Sequence, residues 1–127
     1  MAISIKRYKN EWDSRRGFRA YNGGELAGQI LADFSKESGK VRVQLYSFVV
    51  ADACKQRGIG RCMMEHMAEE ARRAGASSIV AYPASCTDIN DCAEITSFER
   101  ILVYQKLGFE VFESSIPGRV TEMRRGV

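Results

Sequence analysis

The sequence lacks several features that would place it in a specialised class of protein. No apolar run approaches the ~20 residues that cross a bilayer. The first residues, MAISIKRYKNEW, alternate between apolar and polar side chains and contain no apolar signal core, so no export is predicted. Proline occurs only 2 times among 127 residues. Such a length and composition predict one globular domain over residues 1–127. The missing signal core predicts a cytoplasmic location.

The chain also lacks a metal-binding pattern. Its 4 cysteines show no CxxC spacing, and its single histidine, His66, completes no zinc set with paired cysteines. Reduced thiols in a cytosolic protein are therefore the interpretation, and no metal cofactor is expected.

A strong excess of positive charge is missing as well. The 19 basic and 16 acidic residues leave a net charge of +3. A dedicated nucleic-acid-binding domain is usually more basic, with its charge gathered on one face. The arginines that raise the question are scattered and are predicted to be solvated: Arg15, Arg16, Arg119, Arg124 and Arg125. Nucleic-acid binding is therefore disfavoured.

The first half of the sequence is typical of an antiparallel meander. Four stretches have the composition of strands, at residues 2–8, 18–21, 26–34 and 41–50. Asn22-Gly23 separates the second from the third and is a strong hairpin signal, because both turn positions favour positive φ. Gly39 marks the next turn. The last of these strands alternates at first and becomes wholly apolar at its end.

The period of the apolar residues then changes. From Ile59 to Ala71 they recur at helical spacing, and Gly75 is placed to end the helix in the left-handed conformation. A short strand over residues 78–82 follows. The capping-box pattern at 96–99 predicts a second helix that ends before Gly108. Strands near 109–112 and 120–123 complete the predicted order β-β-β-β-α-β-α-β-β.

Residues 55–61, Lys-Gln-Arg-Gly-Ile-Gly-Arg, place two glycines among basic side chains where the first helix begins. A helix start offers unpaired backbone N–H groups and a positive dipole end, so it can bind an anion. The P-loop pattern is excluded because no Lys-Ser or Lys-Thr follows either glycine. The dinucleotide-binding pattern is excluded because Met63 occupies the place of its third small residue.

The segment instead resembles the acyl-CoA pyrophosphate loop of the GNAT superfamily of N-acetyltransferases, Q/R-x-x-G-x-G/A, with Lys55 where the family prefers Gln or Arg. Residues 101–109, Ile-Leu-Val-Tyr-Gln-Lys-Leu-Gly-Phe, are similar to the family's second signature, a helix that carries a tyrosine and ends in Leu-Gly-Phe. The resemblance implies an α/β (α+β) GNAT fold. Its sheet would be mixed and mostly antiparallel, with helices at its flanks and a shortened N-terminal helical region. Parallel central strands near 45–50 and 78–82 would splay apart.

The resemblance also implies acetyl-CoA as cosubstrate and names the residues that would hold it. Main-chain groups of Phe48, Val49 and Val50 would contact the pantetheine arm. The two glycines would let the backbone approach the phosphates, so a branch at Gly60 would meet phosphate and not the core. The loop residues that would wrap the pyrophosphate are Lys55, Gln56, Arg57, Gly58, Ile59, Gly60 and Arg61. Ser97 stands where many relatives carry a cofactor-contacting Asn.

The implied reaction is direct attack of a primary amine on the acetyl thioester. Tyr104 matches the family's tyrosine that protonates the departing thiolate. The general base stays unassigned, because residues 43–47 and 79–82, where relatives often carry a glutamate, contain no carboxylate. The nearest candidates are also interpretable as solvated loop charges: Glu25, Asp88, Asp91 and Glu94.

The acceptor, a small molecule or a protein, is left open by the sequence. Only Lys9 to Arg16 separate the first two strands, where relatives usually carry about two helices that wall the acceptor site. The site is predicted to be open, or closed by a second subunit of a homodimer or by residues 84–96. A non-catalytic acyl-CoA-binding regulatory module is the alternative function. The missing wall and carboxylate favour it, and the complete tyrosine signature favours the enzyme.

Overall fold

The computed structural model describes residues 3–9, 14–51, 58–82, 97–113 and 122–127. Their secondary structure follows the predicted order. The elements are β1 (Ile3–Lys9), β2 (Arg15–Asn22), β3 (Glu25–Glu37), β4 (Lys40–Val50), α1 (Ile59–Arg73), β5 (Ser78–Ala81), α2 (Ser97–Lys106), β6 (Glu110–Glu113) and β7 (Glu122–Gly126). Neither α1 nor α2 is long and apolar enough to cross a membrane.

The strands form one sheet in the order β1-β2-β3-β4-β5-β7-β6. All the paired neighbours are antiparallel except β4 and β5, which run parallel. Antiparallel neighbours can be joined by tight turns, whereas parallel neighbours need a crossover, which α1 supplies here. The predicted mixed, mostly antiparallel sheet is confirmed.

Two-residue turns join β2 to β3 and β3 to β4. Between β2 and β3 the turn residues are Gly23 and Gly24, with φ of 59° and 95°. Asn22 is still paired with β3, so the turn lies one residue later than the Asn22-Gly23 signal predicted. Ser38 and Gly39, with φ of 52° and 78°, form the equivalent turn between β3 and β4.

The first two strands pair with each other along their whole length, ending with Lys9 opposite Arg16. Lys9 and Arg16, which the sequence placed in the segment between the strands, therefore belong to β1 and β2. Of that segment, residues 10–13 lie outside the described residues.

The core lies between α1 and one face of the sheet, which we call the helical face. The predicted methionine stripe of α1, at Met63, Met64 and Met67, is completely buried. Flexible methionine side chains fill irregular space well, which suits a helix packed across several strands. The sheet contributes equally buried residues, including Ile30 of β3 and Ile79 of β5. The apolar residues that predicted the helix by their spacing thus form the face of α1 that packs on the sheet.

The second helix lies beside the first on the helical face. Arg61, in the first turn of α1, donates through Nη2 to the carbonyl oxygen of Lys106 at 3.1 Å. Arg125 of β7 donates through Nε to the carbonyl oxygen of Leu107 at 2.9 Å and through Nη2 to Glu65 of α1 at 2.8 Å. These guanidinium groups satisfy carbonyl groups that the end of α2 leaves without helical partners.

A buried carboxylate connects α1 to the first two strands. Glu70 is buried, and its carboxylate lies 3.0 Å from Nη1 of Arg7 and 3.5 Å from Nη1 of Arg16. Burying a charge is costly unless it is paired. The ion pairs therefore hold β1 and β2 against the C-terminal part of α1.

We expect Glu70→Gln to lower the free energy of unfolding by about 1–3 kcal/mol, because the substitution removes a charged acceptor from a buried group of hydrogen bonds. Glu69→Gln is the matched control. Glu69 is the neighbouring acid and its ion pairs with Arg72 and Arg73 are exposed, so Glu69→Gln should lower the free energy of unfolding much less than Glu70→Gln does. Urea unfolding measures both. Equal losses in the two variants would contradict this role for Glu70.

Candidate functional site

The central feature is an opening in the sheet between β4 and β5. The two strands pair only at Val43 with Ile79 and at Gln44 with Val80. Beyond that point β4 continues to Val50, still paired with β3, but it has no ladder partner on its other side among the described residues. The predicted splaying of the central parallel strands is confirmed.

A β-bulge in β4 sets which side chains face the helices at this opening. Leu31 lies opposite Ser47 and Ala32 lies opposite Leu45, so Tyr46 is the extra residue. Such a bulge changes the alternation of the strand. Phe48 consequently turns toward α1, on the same face as Leu45.

Gly58 forms the boundary between the preceding loop and α1. It has φ of 77°, the left-handed conformation that glycine adopts without strain, and it provides no side-chain cap to the helix. A Cβ at this position would have no atom of another described residue within 4 Å. Within the described part of the chain, the start of α1 therefore leaves its first N–H groups uncovered, as an anion site requires.

The remaining glycine of the motif has a packing role that the sequence analysis did not predict. A Cβ on Gly60 would lie 3.2 Å from Cζ of Phe48 and 3.5 Å from Cγ2 of Val50. The expectation that a branch here would avoid the core is wrong. Gly60 lets the first turn of α1 lie against the splayed part of β4, and the buried side chain of Ile59 anchors that turn.

Tyr104 lies against the same part of β4. Its ring stacks on Phe48 with a centroid distance of 6.3 Å and contacts Phe109 at 5.2 Å. The helix end predicted at Gly108 is present, with φ of 96° there and a bond from the Phe109 N–H to the Tyr104 carbonyl. The two sequence signatures thus meet at Phe48. In the chain they are far apart, with 43 positions from Arg61 of the first to Tyr104 of the second.

The structure describes only some of the other predicted site residues. Lys55, Gln56 and Arg57 lie outside the described residues, and so do the candidate bases Asp88, Asp91 and Glu94. The described candidate base, Glu25, is exposed at the first position of β3. Ser97 is the first residue of α2. Arg61, predicted to contact pyrophosphate, has its guanidinium on the end of α2.

One buried carboxylate, that of Glu122, was not predicted from the sequence. Glu122, the first residue of β7, is buried, and its Oε2 accepts a hydrogen bond from Nε of Arg124 at 2.7 Å. Glu122 lies one residue beyond the last β5–β7 pair, that of Ala81 with Met123. Its strand is short and polar, so no pattern marked the residue as buried. No group of three metal-binding side chains occurs in the part of the chain that the structure describes.

Comparisons with known proteins agree with this geometry. The family model of the acetyltransferase (GNAT) family matches residues 3–109. This match spans most of the chain, and the protein therefore belongs to the GNAT acetyltransferase family. Comparison with curated protein sequences gives no match.

Solved structures of acetyltransferases share the fold. At these low identities each likeness concerns the fold alone. The IAA acetyltransferase of Bacillus cereus is 16% identical, with a TM-score of 0.65, over 99% of this chain and 100% of that one. An aminoglycoside 6'-N-acetyltransferase complexed with coenzyme A is 20% identical, with a TM-score of 0.65, over 89% and 73%. The PaiA N-acetyltransferase of Thermoplasma acidophilum, in complex with coenzyme A, is 14% identical, with a TM-score of 0.62, over 98% and 61%.

Proposed function

We propose that the protein is an acetyl-CoA-dependent N-acetyltransferase that acetylates a primary amine by direct attack. The observation that carries this proposal is the opening between β4 and β5, with the start of α1 and the ring of Tyr104 both beside the splayed residues of β4. The coenzyme A complexes of two proteins with the same fold support the choice of cosubstrate.

The unpaired side of β4 suits an extended molecule with amide groups. Pantetheine is such a molecule, and it would add to Phe48, Val49 and Val50 as a further strand does, through main-chain hydrogen bonds. The pyrophosphate would then lie at the start of α1, on the N–H groups that follow Gly58 and on the loop of residues 55–57. The positive end of the helix dipole favours the phosphate charge.

The acetyl transfer requires deprotonation of the amine, stabilisation of an oxyanion and protonation of the leaving thiolate. The amine loses a proton and forms a C–N bond with the acetyl carbon, and the carbonyl oxygen becomes an oxyanion that a backbone N–H at the opening stabilises. The C–S bond then breaks, and the thiolate takes a proton from the hydroxyl of Tyr104. The products are the N-acetylated amine and free CoA.

The general base is the unassigned part of this proposal. The described strands at the opening carry no carboxylate, so the amine proton passes to water or to one of the four acids named from the sequence. This absence is also the observation that favours the alternative function, an acyl-CoA-binding regulatory module. Cytoplasmic location and a homodimer stay predictions.

We expect Gly58→Asn to abolish the stabilisation by acetyl-CoA while the protein stays folded. Asn tolerates positive φ, and a side chain at this position would meet no atom of another described residue and would occupy the space proposed for pyrophosphate. Acetyl-CoA at about 100 times its Kd should stabilise the parent by about 2.7 kcal/mol. Thermal unfolding with and without acetyl-CoA measures the difference.

The matched control for this experiment is Gly39→Asn. Gly39 also has a positive φ, 78°, and open space around its Cβ, but it lies in the turn between β3 and β4. This variant should keep the full stabilisation. A parent protein that acetyl-CoA and CoA both fail to stabilise, or a Gly58→Asn variant that responds normally, would contradict the proposed cofactor site.

We expect Tyr104→Phe to separate the enzyme from the binding module. The ring and its contacts with Phe48 and Phe109 remain, so acetyl-CoA should still bind. Loss of the proton donor should lower the single-turnover rate by about 10²–10⁴-fold, and the loss should fall on kcat. A variant that acetylates its acceptor at the parent rate would remove Tyr104 from the mechanism. A parent that binds acetyl-CoA but acetylates no amine would favour the regulatory module.

A further inference from the structure

The sheet face opposite α1, which we call the open face, carries polar side chains on the strands that lead to the opening. Side chains alternate along each strand, so residues between those that contact α1 point to this face. Both described helices lie on the helical face. The open-face residues that concern us are Lys6 and Tyr8 of β1, Arg19 of β2, Gln29 of β3 and Ser47 of β4.

Three of these side chains form a hydrogen-bonded row that crosses the strands. Arg19 donates through Nε to Oε1 of Gln29 at 3.3 Å, and Gln29 donates through Nε2 to Oγ of Ser47 at 3.1 Å. Ser47 is buried and directly follows the bulge of β4, beyond the last β4–β5 pair. The row therefore links a cationic side chain on β2 to the strand that borders the opening.

The row also orients the hydroxyl of Ser47. A serine hydroxyl has one proton to donate, and its oxygen already accepts the N–H of Gln29. Its proton is consequently directed away from Gln29. Because the row begins at a guanidinium group, each hydrogen bond polarises the next and strengthens Ser47 as a donor.

Two cations at the start of this row have no acidic partner in the described part of the chain. Lys6 lies directly opposite Arg19 in the sheet. Each lies over an aromatic ring: the ammonium of Lys6 lies 5.4 Å from the centroid of the Tyr21 ring, and the guanidinium of Arg19 lies 4.3 Å from the centroid of the Tyr8 ring. Other arginines of the open face are paired with acids: Arg15 with Asp33, Arg42 with Glu37 and Arg124 with Glu122.

Like charges directly opposite each other in an antiparallel pair destabilise the sheet. The juxtaposition of Lys6 and Arg19 is therefore unfavourable as a charge pair, but it suits the binding of an anion. Tyr8 adds a hydroxyl on the same face.

We propose that Lys6, Arg19, Gln29 and Ser47 form the acceptor site, and that the acceptor carries an oxyanion, a carboxylate or a phosphate, at the end remote from its amine. This inference rests on the proposed function. The start of α1 and Tyr104 occupy the helical face at the opening, so the acceptor approaches from the open face. The anion lies on Lys6 and Arg19, and the chain of the acceptor follows the row past Ser47 to the acetyl group.

The spacing of the strands gives the length of this acceptor. Neighbouring strands lie about 4.8 Å apart, so β2 and β4 are separated by roughly 10 Å. An amine and an acid on the same carbon atom would not span this distance. The acceptor therefore has several atoms between the two groups, as in ε-aminocaproate.

The test compares ε-aminocaproate with its neutral amide, ε-aminocaproamide, and with an aminoalkyl phosphate of similar length. Binding to the CoA-saturated protein is measured by calorimetry, and acetylation is measured with acetyl-CoA. We expect at least one of the acids to bind about tenfold more tightly than the amide, and to lose the preference at high ionic strength. The stronger of the two acids distinguishes a carboxylate acceptor from a phosphate acceptor.

Arg19→Gln and Lys6→Gln should each reduce the preference for the acid, and the double variant should abolish it. Lys36→Gln is the matched control, because Lys36 is an exposed cation on β3 near the turn at Ser38 and Gly39, remote from the opening. It should leave the preference unchanged. Among the described residues Lys6 contacts one ring, that of Tyr21, so Lys6→Gln should disturb the fold little. It therefore tests the site even if Arg19→Gln fails to fold.

Each outcome separates this inference from the proposed function. Acid and amide that bind equally, or a preference for the acid that survives the double variant, would overturn the inference. Acetylation of amines without any preference for an acid would also overturn it and leave the enzyme intact. Acid-selective binding at Lys6 and Arg19 without acetylation would support the site and contradict the enzyme. If the protein sediments as a dimer and Arg19→Gln dissociates that dimer, Arg19 binds a second copy of the chain and not the acceptor. That result would overturn the inference.

Discussion

The parting of β4 from β5 is the constraint on which the rest of the structure depends. A strand that keeps only one partner exposes a row of backbone groups, and such a row is stable when its side chains are anchored elsewhere. Here β3 holds the strand on one side through to Val50, and the first turn of α1 packs on Phe48 and Val50 from the helical face. The opening is therefore a built feature of the sheet and not a frayed end.

The helices and the open face support this opening in different ways. Arg61 and Arg125 connect α1 to the end of α2, and the resulting position of α2 places Tyr104 on Phe48. On the open face, guanidinium groups lie flat over aromatic rings, as Arg15 does over Tyr46 at 3.7 Å. Such contacts cover apolar rings while leaving charge in water. A sheet without a second layer of described helices can thus remain compatible with solvent.

Much of the fold could be predicted from the sequence because its signals are local. Paired glycines in turns, the methionine stripe and the glycine after each helix depend on near neighbours, and all correspond to elements of the structure. The contact of Gly60 with Phe48 was missed, because it joins a helix to a strand and depends on the bulge at Tyr46. The burial of Glu122 and the row from Arg19 to Ser47 were missed for the same reason, since each depends on strand register and not on spacing in the chain.

The central claim is that the splayed end of β4 and the start of α1 together hold coenzyme A. Titration of the isotopically labelled protein with CoA, followed by amide chemical shifts, tests it most directly. The largest changes should fall on Phe48 to Val50 and on Gly58 to Arg61, while the turn at Ser38 and Gly39 stays unchanged. Changes concentrated elsewhere in the sheet, or none at saturating CoA, would contradict the claim.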